Sequence, residues 1–371
     1  MTTKTELTTF LQEAVGRVFP AAALQVWQQG QVVHDEAVGW LDPEMRQQPT
    51  TRETLFDLAS LTKLFTTTAF LRLVAAGKVE LDQPVVTVLP EFGGQRPVQP
   101  YEDPLHPGQL VTISAATDTV DAGKVTYRHL LTHTSGLPAW RPLYKQGRGG
   151  IRPFVLNSFF SYPTGTRVVY SDLGLILLGW AMEVVAERPL ASIIQSLVLD
   201  PLRLATIRFG PVAPECAAPT EFCQWRQRRI RGEVHDENAW ALDSVAAHAG
   251  LFGTAAAVAG LGQAWLDVLL GHSDFLPRSL AQEATNLQAE DGLVRRGLGW
   301  ALWSPLSESA SYPLSRSSFG HTGFTGTSLY IDPERELVVA CLTNEVYNGR
   351  ADRSIGPFRV RLHEEIGRLR D

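Results

Sequence analysis

With 371 residues, 44% hydrophobic and 19% charged, the chain has the balance of an ordinary globular protein and room for two domains. Its formal net charge of −6 leaves no basic footprint for nucleic acid. Cys216, Cys223 and Cys341 are odd in number and lack Cys-x-x-Cys spacing, which argues against both a disulfide framework and a zinc cluster.

The start, Met1-Thr2-Thr3-Lys4-Thr5-Glu6, has no apolar run of a signal peptide, and no later stretch is long enough to cross a membrane. The expectation is a cytoplasmic protein, or an exported one whose leader has been trimmed. Residues 5–19 read as an amphipathic helix through Leu7, Phe10, Leu11, Val15 and Val18. Strands follow at 22–27 and 32–40, joined by a turn at Gln29-Gly30. Ser60 then precedes apolar or small residues at Leu61, Leu64, Phe65, Thr68, Leu71 and Ala75, the stripe of a helix buried on one side. The prolines and glycines of 81–109 predict loop with short elements. A short helix at 126–138 ends in Gly136-Leu137-Pro138, and 171–187 and 191–198 read as helices. A further helix is expected over 255–270, then strands at 328–331 and 337–342 around the turn Asp332-Pro333-Glu334-Arg335, and a last helix near 358–369.

No repeat, low-complexity tract or long linker interrupts this order. Strands at both ends of a helical middle imply one sheet built from distant segments. The expected fold is α/β in the α+β sense. A discontinuous sheet domain of 1–80 and 232–371, its sheet flanked by helices, carries an inserted, mainly helical domain of 81–231.

Ser60 and Lys63 are three residues apart at a helix start, so both project from one face of its first turn. Such a pair can be a nucleophile with its base. It can equally be a capping serine and a solvated lysine. Only five of the 33 basic residues are lysines, which makes this one less of an accident. Two further pieces stand out. Tyr170-Ser171-Asp172 directly precedes an apolar helix, and Gly320-His321-Thr322-Gly323-Phe324-Thr325-Gly326 leads into a strand. Each alone could be a capped helix start or a glycine-rich strand entry.

In order, Ser-x-x-Lys, Tyr-x-Asx and a His-Thr-Gly triplet resemble the motif set of the serine β-lactamase and penicillin-binding-protein superfamily. Within it, the chain is similar to the class C β-lactamase-related serine hydrolases, which include esterases and D-amino-acid peptidases. The segments Arg128-His129-Leu130-Leu131-Thr132-His133-Thr134-Ser135-Gly136-Leu137-Pro138, Gly232-Glu233-Val234-His235-Asp236-Glu237-Asn238-Ala239 and His248-Ala249-Gly250-Leu251-Phe252 are also similar to that branch. The likeness runs from about residue 10 to residue 365. It implies a mostly antiparallel sheet with helices on both faces, a helical domain beside it, and a cleft between. His321 would then lie on the edge strand facing that cleft. It further implies catalysis by Ser60, Lys63 and Tyr170 through an acyl-enzyme, with the backbone N–H groups of Ser60 and Phe324 as oxyanion donors. Substrate contacts would come from Trp140, Asp172, His321, Thr322 and Gly323. No metal or organic cofactor is implied, and the partner is a small ester, amide or peptide.

Either Lys63 or Tyr170 can serve as the base. A neutral Lys63 would need its pKa lowered by roughly three units from about 10.4, near 4 kcal/mol of bias. A Tyr170 phenolate would instead be stabilised by a charged Lys63. Three positions depart from the class C lactamases: His321 replaces a lysine, Asp172 an asparagine, and Trp140 a glutamine. A neutral histidine and an added carboxylate weaken recognition of an anionic β-lactam and suit a neutral ester or amide. His321 can also be a structural histidine donating to a backbone carbonyl, and His133 and His235 read as structural hydrogen-bonders. The expected activity is that of an esterase or a D-amino-acid-type amidase or peptidase. A true β-lactamase, a D-Ala-D-Ala carboxypeptidase and a non-catalytic penicillin sensor are the alternatives.

Overall fold

The computed structural model describes residues 3–106, 108–113, 117–351 and 353–369. Its elements are α1 (Lys4–Ala14), β1 (Ala21–Gln28), β2 (Gln31–Gly39), α2 (Thr62–Ala75), α3 (Asp172–Ala186), α4 (Ala255–Leu270), β3 (Ala289–Asp291), β4 (Val294–Arg296), β5 (Ala301–Leu302), β6 (Phe319–Thr322), β7 (Ser328–Asp332), β8 (Leu337–Thr343) and α5 (Ile355–Gly367), with shorter helices and strands between them. The eight strands form one antiparallel sheet in the order β3-β4-β5-β6-β7-β8-β1-β2. The amino-terminal hairpin therefore docks on the carboxy-terminal strand, Leu24 opposite Cys341 and Val26 opposite Val339.

The centre of this sheet is buried on both faces, which is why β8 reads as an unbroken apolar run. Val338, Ala340 and Leu342 point into the large core shared with α2, α3 and α4. Leu337, Val339 and Cys341 point the other way, into a second core closed by Leu7 and Leu11 of α1 and Phe358, Leu362 and Ile366 of α5. The period-two alternation of a strand thus divides one segment between two cores.

Three expectations need correction. The first helix stops at Ala14, because Val15 turns extended and Gly16 takes a φ of 79°. Val15 and Phe19 then form an isolated bridge, and Val15 and Val18 pack against the second core without helical backbone. α2 is buried nearly all round, eleven of its fourteen residues, and not along one stripe. Its run of threonines hid this, since Thr66 and Thr68 bury their hydroxyls by donating to the carbonyls of Ala247 and Leu64. Finally, β6 is not an edge strand. β5 pairs with it through Ala301–Gly320 and Leu302–Phe319, then ends. His321 and Thr322 are left without a β5 partner, so the strand is interior along its first half and open along its second. The strands that cover it are two or three residues long and interrupted by Gly297 and Gly299, too short for alternation to announce them.

Candidate active site

The turn that presents Ser60 is held from two directions. Asp57 ends a short strand (Phe56–Asp57) and is buried; its carboxylate accepts the N–H groups of Ala59 at 2.8 Å and His235 at 2.6 Å. Ala59, a non-glycine residue, is forced to a φ of 46°, a backbone state that L-residues rarely occupy outside functional turns. From the other side, the hydroxyls of Thr325 and Thr327 donate to the carbonyls of Asp57 at 2.7 Å and Leu58 at 3.1 Å. These staples draw the glycine-rich turn after β6 against the backbone preceding Ser60. The approach is so close that a Cβ on Gly323 would stand 2.6 Å from the Leu58 carbonyl oxygen and 2.1 Å from Thr327 Oγ1. Among the described residues, neither the Ser60 nor the Phe324 backbone N–H is bonded to an acceptor. Two such free donors flanking a hydroxyl are what an oxyanion requires.

At the second position of α2, Lys63 is 1% exposed. Its Nζ lies 2.8 Å from Ser60 Oγ, 2.9 Å from the His248 carbonyl and 2.8 Å from Asp172 Oδ1. An ammonium has three N–H donors, and three oxygens stand around this one. Burial alone would lower its pKa, but Asp172 and then Tyr170 outweigh that, and the pKa ends above the ordinary lysine value. Tyr170 lies with its ring centroid 4.9 Å from Nζ. Burial raises the phenol's pKa, against the opposing pull of Lys63. The phenol oxygen is itself buried without a hydrogen-bond partner among the described residues.

Tyr170 is held by its neighbours. The N–H of Val169 donates to the His133 carbonyl at 2.9 Å, and that of Ser171 to His133 Nδ1 at 3.0 Å. The His133 ring packs on the Tyr170 ring at 4.5 Å, and burial keeps the imidazole well below its ordinary pKa. Ser171 caps α3 and donates to the Pro138 carbonyl at 2.7 Å. Asp172, at the first position of α3, points back to Lys63. His133 is thus a hydrogen-bonder, and what it fixes is the phenol. His235 is likewise buried and pushed down to about 3 by burial and then Arg350, its Nδ1 3.1 Å from Thr220 Oγ1.

Ser60, Tyr170 and Phe324 line two recesses, one on each side. The first, of ≈ 450 Å³, includes His321, Thr322 and Gly323 together with Arg296, Arg353 and Arg359. His321 Nδ1 is 2.8 Å from the Thr322 carbonyl, which can only accept, so Nδ1 carries the proton and Nε2 is a lone pair. That Nε2 is buried without a partner, and burial, then Arg296 and Lys63, push the imidazole down to about 3. The second recess, of ≈ 260 Å³, includes Trp140, Asp172, His235, Asp236, Glu237 and His248 beside Leu105. The motif residues thus converge on one cleft, Trp140 included.

Two features were not visible in the sequence. Arg353 is paired with Glu345, and Arg359 donates to the Thr327 carbonyl at 2.7 Å. The Arg296 side chain has no hydrogen-bond or ion-pair partner among the described residues; it lies 5.4 Å from the Tyr170 ring, its Nε buried. It sits in a weak hairpin beside Arg295, and nothing in its spacing marks it. On the other side, His248 Nε2 lies 3.0 Å from Asp236 Oδ1, and the imidazole holds that carboxyl below the usual range although burial opposes it. Asp172, Asp236 and His248 bring potential ligand atoms within 4.8 Å of one another, but the Lys63 ammonium already occupies the Asp172 carboxylate, and a second cation there would repel it. Among the described residues no helix is long and apolar enough to cross a membrane.

Residues 7–363 match the family model described as Beta-lactamase. The chain is 30% identical to the N-acetylmuramyl-L-alanine amidase of Bacillus subtilis (strain 168), over 94% of this chain and 82% of that protein. It is 27% identical to a putative D-alanyl-D-alanine carboxypeptidase of Escherichia coli (strain K12), over 94% and 83%. Its fold is similar to that of EstCE1, a hydrolase with promiscuous acyltransferase activity, with a TM-score of 0.74, 20% identity and 98% of both chains covered.

Proposed function

The chain belongs to the Beta-lactamase family and is a serine hydrolase, and on that premise we propose that it is an amidase or peptidase that releases an amino acid or short peptide bearing a free carboxylate. The observation that carries this is Arg296, a half-buried arginine whose side chain has no hydrogen-bond or ion-pair partner among the described residues, lining the recess beside Ser60. A charge that is partly desolvated and unpaired gains from an anion beside it, and a substrate carboxylate would supply one on binding. The departures at His321 and Asp172 pointed towards a neutral substrate. Arg296 supplies from another strand the positive charge that His321 lacks. The two relatives add support, since their names are those of enzymes acting on amide bonds to alanine.

In this reading Ser60 Oγ attacks the amide carbonyl and its proton passes to Tyr170 as phenolate. Lys63 stays a cation, because Asp172 beside it favours the charged form. The carbonyl electrons move to an oxyanion held by the N–H groups of Ser60 and Phe324. As that intermediate collapses, the C–N bond breaks and Tyr170 returns the proton to the departing amine. Water then attacks the acyl-enzyme, giving its proton to Tyr170; as the acyl–Oγ bond breaks, Tyr170 passes that proton to Ser60, which frees the acid and restores the phenolate.

The test is a panel: N-acetylmuramyl-L-alanine, N-acetyl-D-Ala-D-Ala, the same compounds with the terminal carboxylate amidated, nitrocefin and p-nitrophenyl butyrate. The reading expects the free acids to be cleaved with kcat/KM roughly 10–100 times that of their amidated forms, the worth of a charge-assisted pair. Turnover of the butyrate ester alone would make it an esterase. Turnover of nitrocefin above the amides would make it a β-lactamase. Slow acylation by penicillin without turnover of anything would make it a sensor.

A further inference from the structure

Two of the motif segments, 232–239 and 248–252, supply no reacting atom, and the structure joins them to each other. Consecutive residues of the first reach the two halves of the nucleophile–base pair by separate routes. The His235 N–H donates to the Asp57 carboxylate, whose other oxygen accepts the Ala59 N–H and so holds the turn that carries Ser60. Asp236, next in the chain, places Oδ1 3.0 Å from Nε2 of the buried His248. A carboxylate only accepts, so that nitrogen carries the proton. The His248 backbone carbonyl in turn accepts from Lys63 Nζ at 2.9 Å.

The segment around His248 is laid along α2 and held at both ends. Thr66 donates to the Ala247 carbonyl at 2.8 Å, and the Leu251 N–H donates to Thr62 Oγ1 at 3.2 Å. The Leu58 N–H donates to the Leu251 carbonyl at 2.9 Å. Gly250 takes a φ of 120°, and a Cβ there would stand 2.4 Å from the Ser244 carbonyl oxygen, so the chain passes Ser244 only as glycine. Between these anchors the direction of the His248 carbonyl follows its Cα, and the imidazole fixes that Cα against Asp236. The other end of the brace is fixed as well. Arg226 donates to the carbonyls of Val234 and His235, and Asp236 Oδ1 caps the helix Glu237–Ala241 through the Ala239 N–H at 2.7 Å.

We propose that Asp236 and His248 are a positioning pair for Lys63, acting through the His248 carbonyl to keep the ammonium in register with Ser60 Oγ. The pair rests on the serine hydrolase chemistry of Ser60 and Lys63, and not on which bond the enzyme cuts. The competing roles are plainer: Asp236 as a helix cap and His248 as packing.

The experiment measures the second-order rate of fluorophosphonate labelling at Ser60 by intact-protein mass spectrometry, with kcat and KM on the panel substrate that turns over fastest. Each variant is assayed well below its own melting temperature. Asp236→Ser keeps a good cap but is too short to reach His248, whereas Asp236→Asn keeps both cap and acceptor. His248→Ala removes the imidazole and leaves the backbone carbonyl. Asp236→Ser and His248→Ala should each slow labelling and lower kcat about 10- to 100-fold, with KM changed less than about threefold. Asp236→Asn should recover to within about threefold of the native rate. Combining Asp236→Ser with His248→Ala should cost no more than the worse single change, because both cut one link. Native labelling in Asp236→Ser would leave that residue a cap alone. Losses that multiply in the double variant, an Asp236→Asn no better than Asp236→Ser, or an effect confined to KM would equally overturn the pair. A native chain that takes no label would instead overturn the serine hydrolase reading beneath it.

Discussion

The two recesses beside Ser60 are built on opposite principles. On the β6 side a half-buried arginine has no side-chain partner among the described residues, and a histidine presents a bare lone pair. On the α3 side the acidic groups already have partners among the described residues, Asp172 beside Lys63, Asp236 beside the His248 imidazole and Glu237 beside Arg350, and what remains open is aromatic. The contrast teaches where recognition comes from. An unanswered charge asks the substrate for its opposite, whereas a neutralised wall can only read shape and ring faces. Ser60, Tyr170 and Phe324 belong to both recesses, so the proposed reaction puts the bond to be cut at their boundary.

Breaking that boundary should have the largest effect. Gly323→Ala would drive a methyl group against the Leu58 carbonyl and displace the Phe324 N–H from the Ser60 turn. Loss of about 10²–10³ in kcat is expected for every substrate, with KM less affected; steady-state kinetics at fixed pH reads it. Next comes the unpaired charge. Arg296→Ala should raise KM about 10- to 100-fold for substrates with a free carboxylate and leave their amidated forms nearly as before, so that the two curves converge. If both classes lost equally, Arg296 would be a packing residue and the comparison would fail.

The neutralised wall is probed by Asp172→Asn. Removing that carboxylate takes away a charge that raises the pKa of both Lys63 and Tyr170. The rate on the acid side of the pH profile depends on a deprotonated member of the Lys63–Tyr170 pair. The limb should therefore move to lower pH in Asp172→Asn, and an unmoved limb would show that the pair does not limit the reaction. The smallest effect on turnover belongs to histidines that the fold keeps neutral. Burial pushes His321 and His235 down to about 3, and His363, behind Tyr330, to about 4. Unfolded, each takes up a proton below about 6.5, so this part of the stability is present above that pH and lost as pH falls towards 3–4. Asp57, raised to about 6 by burial, acts in the opposite sense over about pH 4–6 and offsets some of it. His363→Gln should flatten the fall in unfolding free energy between pH 7 and 4, by an amount on the order of 3 kcal/mol at the acid end, read from denaturant melts at each pH.

The parts of the fold that were legible are those where one local rule suffices. The hairpin of β1 and β2 follows from alternation and Gln29-Gly30. α4 begins after its Thr254 cap and ends at Gly271 in the left-handed region, where the sequence placed both ends. The open half of β6 was not legible, because it depends on where the short β5 stops. The same division runs through the site. Ser60, Lys63, Tyr170, Asp172 and His321 stand in short spaced motifs, and the chain brings them into one cleft. Arg296 and the Asp236–His248 pair act through contacts between distant segments, and a lone charged residue in a loop-rich stretch carries no period to read. The charge on Lys63 also needed coordinates, since it depends on three oxygens from its own helix, from α3 and from the His248 backbone.

The central claim is that one hydroxyl, Ser60, is made nucleophilic by the Lys63–Tyr170 pair. Intact-protein mass spectrometry after treatment with a fluorophosphonate tests it directly, followed by peptide mapping. A single adduct on Ser60 in the native chain, greatly slowed in Tyr170→Phe and missing in Ser60→Ala, is the predicted result. An adduct that forms at the same rate in Ser60→Ala, or one that maps to another residue, would contradict it.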